Sequence, residues 1–392
     1  MSASPERGLC RVYSNHLLKH LSRIEIMGSI EVSTQVVERP PSWQKSVHEY
    51  LAENDLKCKK ATPLQGGASA YIWKLEGLAP KRPSSRPTLP LRSISQACIM
   101  KYGDDTAKSV AGIKMSPDRM SNEAQAMNSA TLARVCAEEP SVEIPRLVSS
   151  TDQAVIMSWA GETDLRSAYI KDQTLDARDA GSRIGRWAAV MHRAGRGNPD
   201  QEQWDSTTRD SVLKLEEHHL RTRLSEDPSF TSEDIERAAA AFHAPDEVRT
   251  LTAYDFRPMN TLLRPSDDTS RPLITVVDWE IAGYGDPAFD LRMWIAEAIV
   301  TEAKYGGERG LLEGFLTAYR QQAGEIIADT ALLCRVTILV GSMWEFLMPC
   351  SIWDCTEADA EYFRKTGREY IRAGIDADLD WLSKSSLASL LQ

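Results

Sequence analysis

The chain has 392 residues, of which 42% are hydrophobic and 26% charged, and a formal net charge of -10; that length holds two ordinary cores and that composition is globular. The acidic balance excludes a nucleic-acid binder built on an overall basic face, which needs clustered Lys and Arg to displace phosphate counterions. Seven cysteines without CxxC spacing point to a reducing compartment and no zinc centre, and neither an apolar run of membrane-spanning length nor a secretory signal is expected.

Residues 1–40 read as a flexible extension. The stretch from Arg7 to Arg23 bears Arg and Lys but no acid, so a mitochondrial transit segment stays open beside the expected cytoplasmic location. From Pro40 on the chain is expected to fold. Pro41 and Ser42 open a helix carrying Val47, Tyr50 and Leu51 on one side. TPLQGGASAYIWKLEG then has the form strand, small-residue turn, strand, with Tyr71, Trp73 and Leu75 alternating. Gly66 and Gly67 make either an ordinary hairpin turn or a place where backbone N–H groups approach phosphate oxygens unblocked by a side chain. A Pro- and Ser-rich insert near 78–96 separates this hairpin from QACIMKYG, a strand bearing Lys101. The next helix starts at Ser116 and Pro117 and repeats Met120, Ala124 and Met127 on one face. Glu123 sits beside that face, placed to pair with Lys101. Strands follow at 144–148 and 154–157, and 158–161 read as a linker. The expected small lobe is therefore 41–160, and 161–392 form a mainly helical large lobe, with Ile184, Trp187, Ala188 and Met191 facing inward on one core helix.

The stretch from Tyr254 to Asp290 carries the chemistry. Asp255 and Asn260 stand on a loop that Pro258 bars from being helical, and Asp278 follows the apolar, β-rich run ITVV. An acid, an amide and a second acid on adjacent loops are what phosphoryl transfer from Mg-ATP requires. One carboxylate takes the acceptor's proton, and the amide and the other carboxylate hold the Mg2+ that neutralises the phosphates. Arg257 either touches the transferring γ-phosphate or faces solvent. Between DWE and Asp290 there is no Ser, no Thr and no A-P-E. A protein kinase has a longer activation segment there, so a small-molecule acceptor is expected.

YDFRPMN and DWE resemble the catalytic loop and metal-binding segment of the aminoglycoside phosphotransferase and choline kinase-like family, a branch of the kinase-like fold that includes methylthioribose and fungal hydroxytryptamine kinases. The family loop usually reads His-Gly-Asp, and Ala253 and Tyr254 fill those first two places here. The resemblance extends more weakly over 45–380. It implies an α+β, bilobal protein-kinase-like fold with a β-rich small lobe, and an ATP-dependent phosphotransferase with a small-molecule alcohol as acceptor and neither nucleic acid nor membrane as partner. It implies that Asp255 and Arg257 are catalytic and that Asn260 and Asp278 bind magnesium. Lys101, fixed by Glu123, and the Gly66–Gly67 turn would meet the ATP phosphates. Met157, Ser158, Trp159 and Ala160 would lie along the adenine through their backbone groups. Trp344, Glu345, Trp353 and Asp354, around the turn at Pro349, would wall an acceptor pocket suited to a cationic or aromatic alcohol. The alternatives are a protein kinase-like enzyme and a nucleotide-binding scaffold without chemistry, the latter motivated by Ala253 and Tyr254.

Overall fold

The computed structural model describes residues 43–64, 69–80, 97–105, 108, 115–116, 118–197, 204, 207–243, 245–266, 271–324, 326, 329–347 and 353–391. The expectations placed on 1–40, on Gly66 and Gly67, on most of the insert and on Pro349 lie outside the described residues. The chain divides into two units, 1–127 with 145–159, and 128–144 with 160–392.

The first unit is built on a five-stranded antiparallel sheet. Its strands are β1 (Lys60–Pro63), β2 (Tyr71–Glu76), β3 (Cys98–Tyr102), β4 (Leu147–Ser150) and β5 (Ala154–Ser158), in the spatial order β1-β2-β3-β5-β4. Strand β2 alternates as the sequence predicts. Tyr71, Trp73 and Leu75 are buried while Ile72, Lys74 and Glu76 are only half-buried, so one face of the sheet makes a core. Trp43 lies flat on Trp73 at 5.2 Å in that core. Helix α1 (Val47–Glu53) starts later than its prolines suggested. Ser46 caps it, and the Ser46 and Glu49 side chains each accept the other's backbone N–H, a capping box that fixes the first turn. On the opposite face, helix α2 (Arg119–Asn128) lays Met120 and Ala124 against Val155 and Met157.

The second unit is mainly helical: α3 (Ala130–Glu138), α4 (Leu165–Lys171), α5 (Ala177–Gly195), α6 (Thr207–Ser225), α7 (Ser232–Ala239), α8 (Ala288–Tyr305), α9 (Leu311–Ala323), α10 (Thr330–Leu347) and α11 (Glu357–Asp376). Of its short strands, β6 (Thr250–Thr252) pairs with β9 (Gly283–Gly285), and β7 (Thr261–Arg264) and β8 (Leu273–Val276) pair as the middle strands of a four-stranded sheet edged by Thr163–Asp164 and Val142–Glu143. The α+β class expected from the sequence holds, with strands concentrated in the first unit and helices in the second. The boundary differs, because residues 128–144 belong to the helical unit. Val142–Glu143 pairs in parallel with β8, and Glu139 on the end of α3 ion-pairs with Arg186 of α5 at 3.0 Å.

One described helix, α10, is long and apolar enough to cross a membrane, with a mean hydropathy of 1.4. Its most apolar window is 72% buried inside the protein, and Arg335 within it pairs with Asp286 at 2.7 Å. It is packed as a core helix, on α11 and α8. The described cysteines Cys58, Cys98, Cys136, Cys334 and Cys355 are all free thiols.

Three aspartates around α7 and α11 give the fold a pH dependence. The backbone N–H groups of Ser229, Thr231 and Thr356 hold the carboxyls of Asp227, Asp234 and Asp359 below the usual range. A depressed folded pKa adds stability above the ordinary aspartate range, and that stability is lost as pH falls through the folded values. Asp234→Asn is therefore expected to lower the melting temperature at neutral pH, and the gap to wild type should narrow as the pH drops toward 3, below the ordinary aspartate value of about 3.9. A gap that stays constant across thermal melts over that range would refute the linkage.

Candidate active site

The loop after β6 turns sharply. Tyr254 has φ +65, a left-handed conformation that costs a non-glycine residue of order 1–3 kcal/mol, and the Asp255 N–H donates to the Ala253 carbonyl at 2.8 Å. The turn is held from α8. Asp290, fully buried, accepts the N–H groups of Ala253 at 3.1 Å and Tyr254 at 2.7 Å. Its position is set in turn by His192 at the end of α5, whose Nε2 lies 3.1 Å from the same carboxylate while Nδ1 meets the Tyr319 hydroxyl at 2.8 Å. Asp290 and His192 therefore brace this loop.

Asn260 closes the loop. Its Nδ2 donates to the Asp255 carbonyl at 2.9 Å and to Asp255 Oδ2 at 2.7 Å, which commits both amide protons and leaves Oδ1 as an acceptor. The Asn260 carbonyl accepts from Val277 N–H at 2.9 Å, tying the loop to the end of β8. There Asp278 takes φ +69, and Trp279, fully buried with its indole N–H on the Val276 carbonyl at 3.1 Å, anchors the segment between two acids. A carboxylate oxygen of Asp278 and one of Glu280 lie within 4.8 Å. Burial pushes the Asp255 carboxyl up to about 7, and the Asp278 charge adds to that, against the pull of Arg257 and the Asn260 hydrogen bond. A carboxyl poised near neutrality suits a group that must accept a proton and give it up again.

Arg257 does not face solvent. Its Nε donates to Glu297 Oε2 at 2.7 Å, its Nη2 lies 2.6 Å from the same oxygen, and Nη1 stands 3.9 Å from Asp255 Oδ1. Glu297, fully buried on α8, also accepts the Met259 N–H at 3.0 Å and the Trp353 indole at 3.2 Å. The sequence reading missed Glu297. Its signal was a lone acid within the apolar stretch from Met293 to Val300.

A cavity of about 200 Å3 opens beside Asp255, walled by Tyr254 and by Arg209, Glu216 and Arg292, with apolar side chains completing it. In the first unit, Lys101 Nζ lies 2.7 Å from Glu123 Oε2, with both side chains buried. The ion pair expected between them is present. Met157 packs in the core under α2. The N–H groups of Ser158 and Trp159 are committed to the Arg146 and Ala97 carbonyls at 2.9 and 3.2 Å, so these two donors are spent within the unit.

The sequence matches the profile of the phosphotransferase enzyme family over residues 111–331. The chain belongs to the phosphotransferase enzyme family. No curated protein matches it in sequence. Among solved structures this phosphotransferase is similar to the APH(2″)-IIa aminoglycoside phosphotransferase in its gentamicin complex, at 17% identity and TM-score 0.46 over 88% of this chain and 98% of that one. It is also similar to a macrolide 2′-phosphotransferase from Brachybacterium faecium (16%, TM-score 0.42, 84% and 97%) and to choline kinase from Cryptosporidium parvum (9%, TM-score 0.45, 87% and 94%).

Four residues expected to wall an acceptor pocket in this phosphotransferase do not line the cavity. Trp344 is fully buried among Phe363 and Tyr370, and Glu345 is buried against Arg368 at 2.8 Å. Trp353 is buried and donates its indole N–H to Glu297. Asp354 is exposed. The residues that do line the cavity besides Asp255 were missed, since Arg209, Glu216 and Arg292 sit on two helices far apart in sequence.

Tyr254 occupies the place of the glycine in the His-Gly-Asp pattern, and the positive φ there is the conformation glycine takes without cost. Its ring stacks on Phe289 at 5.1 Å, and its hydroxyl presses on Gly285, where an added Cβ would stand 2.1 Å from that oxygen. Gly285→Ala is expected to destabilise the phosphotransferase by about 1–3 kcal/mol through overpacking, and Tyr254→Ala should recover most of that loss by removing the ring. The check is a double-mutant cycle in urea, and additive losses would refute the contact.

Proposed function

We propose that this phosphotransferase moves the γ-phosphoryl group of ATP onto a hydroxyl of a small molecule. The observation that carries the proposal is the Asp255 carboxyl, fixed by Asn260 and bordering a cavity. Asp255 orients the acceptor hydroxyl and takes its proton as the new O–P bond forms. Asn260 Oδ1 and the carboxylates of Asp278 and Glu280 would together offer only oxygen donors, which suits a hard cation such as Mg2+. When bound, such an ion would supply positive charge that offsets the nucleotide's phosphates. Lys101, held by Glu123, contributes a fixed ammonium to the nucleotide's phosphates. Arg257, locked on Glu297, sets the field at Asp255. The short link from Asp278 to α8 is occupied by β9, paired back on β6, which favours a small acceptor over a peptide.

The test is incubation of the full chain with γ-labelled ATP, with and without Mg2+, against a panel of small alcohols and a generic peptide mixture. Mg2+-dependent label on an alcohol is expected. Label appearing on peptides instead, or an unchanged rate in Asp255→Asn, would overturn the proposal.

A further inference from the structure

We infer that the acceptor is an uncharged alcohol with an apolar body, an inference that rests on the phosphotransfer reading above. The cavity lies wholly within the helical unit and has Asp255 in its wall, so its occupant is the molecule next to the proton acceptor. Helix α6 supplies one side through Arg209, Val212, Leu213 and Glu216, spaced so that they share a helix face. Ile281 and Met293 add to the apolar part. Val212, Leu213 and Ile281 are only half-buried, so apolar surface stays open to water beside Asp255, and an apolar body that covers it gains by leaving water.

The charged groups of the wall cancel, the guanidiniums of Arg209 and Arg292 against the carboxylates of Glu216 and Asp255, and each is already engaged. Arg292 Nη2 lies 2.6 Å from Glu216 Oε2 with both side chains buried. Asp255 has the Asn260 amide on Oδ2 at 2.7 Å and Arg257 Nη1 3.9 Å from Oδ1. Arg209 Nε lies 3.5 Å from the Asp210 carboxylate, and its Nη1 is packed against Gly283, where an added Cβ would stand 1.8 Å from it. Both guanidiniums of the wall are also seated on rings. Arg209 lies over Tyr254 at 5.0 Å and Arg292 over Phe289 at 4.7 Å, and those two rings stack on each other at 5.1 Å. The stack ties α6 to the catalytic loop and to α8, so these charges hold the wall together.

A charged occupant of either sign therefore finds no idle counter-charge. A carboxylate would have to draw Arg292 from Glu216 or Arg209 from Asp210 and its ring. Arg292 Nε and Nη1 have no hydrogen-bond partner among the described residues, but they belong to a guanidinium that Glu216 already neutralises. An ammonium would have to compete with Arg292 for Glu216, or with the acceptor hydroxyl for Asp255. Taking an ion out of water without a free partner is costly, and an apolar body meets no such cost. The cationic alcohol expected from Glu345 and Asp354 does not fit this wall. In the reaction the acceptor O–H gives its proton to Asp255, an O–P bond forms to the γ-phosphorus, the β,γ-bridging P–O bond breaks with its electron pair leaving on ADP, and the product is the phosphomonoester of the neutral alcohol.

The experiment uses three benzyl alcohols of similar shape and different charge, with a methyl, a carboxylate or an aminomethyl group in the para position. Their binding to the full chain is measured by calorimetry without ATP, and their phosphorylation separately with labelled ATP. The methyl compound is expected to bind about tenfold tighter than either charged one, the scale of one unreplaced hydrogen bond to an ion. Leu213, half-buried on α6, is the place to move that ranking. Leu213→Glu should weaken the methyl compound and make the aminomethyl compound the tightest, and Leu213→Lys should do the same for the carboxylate. If one variant fails to fold the other decides, and if both fail the wild-type ranking decides alone. A methyl compound that binds no tighter than the charged ones, or a ranking that neither variant moves, overturns the inference. Equal transfer to all three alcohols also overturns it and leaves the phosphotransfer reading standing. The expected ranking, moved by Leu213 but with no transfer to any alcohol, supports an uncharged occupant of this cavity and removes that reading.

Discussion

Asp255→Asn is expected to lower the rate of phosphoryl transfer about a hundredfold or more, the scale of losing a positioned general base. The amide keeps the size of the carboxylate, and its oxygen still accepts the Asn260 Nδ2–H that Asp255 Oδ2 accepts at 2.7 Å, so the loop should keep its course. What disappears is the group able to take a proton. The same change is expected to stabilise the fold, and the sign follows from the shift. Burial raises the folded carboxyl to about 7, so its contribution to stability is full below the ordinary aspartate range and is lost as pH rises through that value. Above neutral pH the wild type therefore holds a partly buried negative charge that Asn does not, and the variant should melt higher than wild type there, with the two curves approaching each other in acid. Initial rates with labelled ATP and melting curves over pH check both halves. Near-full turnover in the variant would remove Asp255 from the chemistry.

The readable part of this molecule was the part encoded over short distances. The alternation of Tyr71, Trp73 and Leu75 has one physical outcome in a half-buried strand, and β2 shows it. Asp255 and Asn260 are close enough in sequence that a non-helical loop brings the amide onto the carboxylate, and Asp278 follows from the strand end tied to Asn260. Lys101 and Glu123 meet because a helix laid on a sheet presents the residue beside its apolar face to the strand beneath. What failed depends on pairings between distant segments. Residues 128–144 join the helical unit through a parallel pairing of Val142–Glu143 with β8, which no local pattern announces. Trp344 and Glu345 illustrate a second limit. An aromatic and an acid on an apolar helix look alike whether they face a pocket or a core, and only their partners Phe363, Tyr370 and Arg368 distinguish the two.

Ala253 and Tyr254 raised the alternative of a scaffold without chemistry. The question was whether a loop lacking His-Gly could still aim its aspartate. In the structure the two N–H groups that precede Asp255 are both held by Asp290, and the strain at Tyr254 is opposed by stacking on Phe289 and by the room Gly285 leaves for the hydroxyl. The loop's direction is thus set by Asp290 and by the packing of Tyr254 on Phe289 and Gly285. This favours a working loop, and it makes Tyr254 a wall of the cavity, a role a glycine cannot fill.

Glu297→Ala is expected to be the most destabilising single change near the site, at about 3–5 kcal/mol, the cost of leaving a buried charge without its partner. Glu297 accepts from Arg257 Nε, Met259 N and the Trp353 indole, so its loss orphans two neutral donors as well as the guanidinium. The nearest remaining carboxylate is Asp255, 3.9 Å from Arg257 Nη1. Arg257 should move toward it and form a tighter pair, which lowers the basicity of Asp255 and blocks the hydroxyl's approach, so transfer should fall beyond what the lost stability explains. Glu297→Gln retains one acceptor and should fall between wild type and Ala. The decisive comparison is Arg257→Met combined with Glu297→Ala. Removing both charges together leaves no uncompensated ion, so the double variant should be more stable than Glu297→Ala alone. Urea unfolding of wild type, Arg257→Met, Glu297→Ala and the double variant measures the coupling, and losses that simply add would show that Glu297 acts by packing rather than by holding Arg257 beside Asp255.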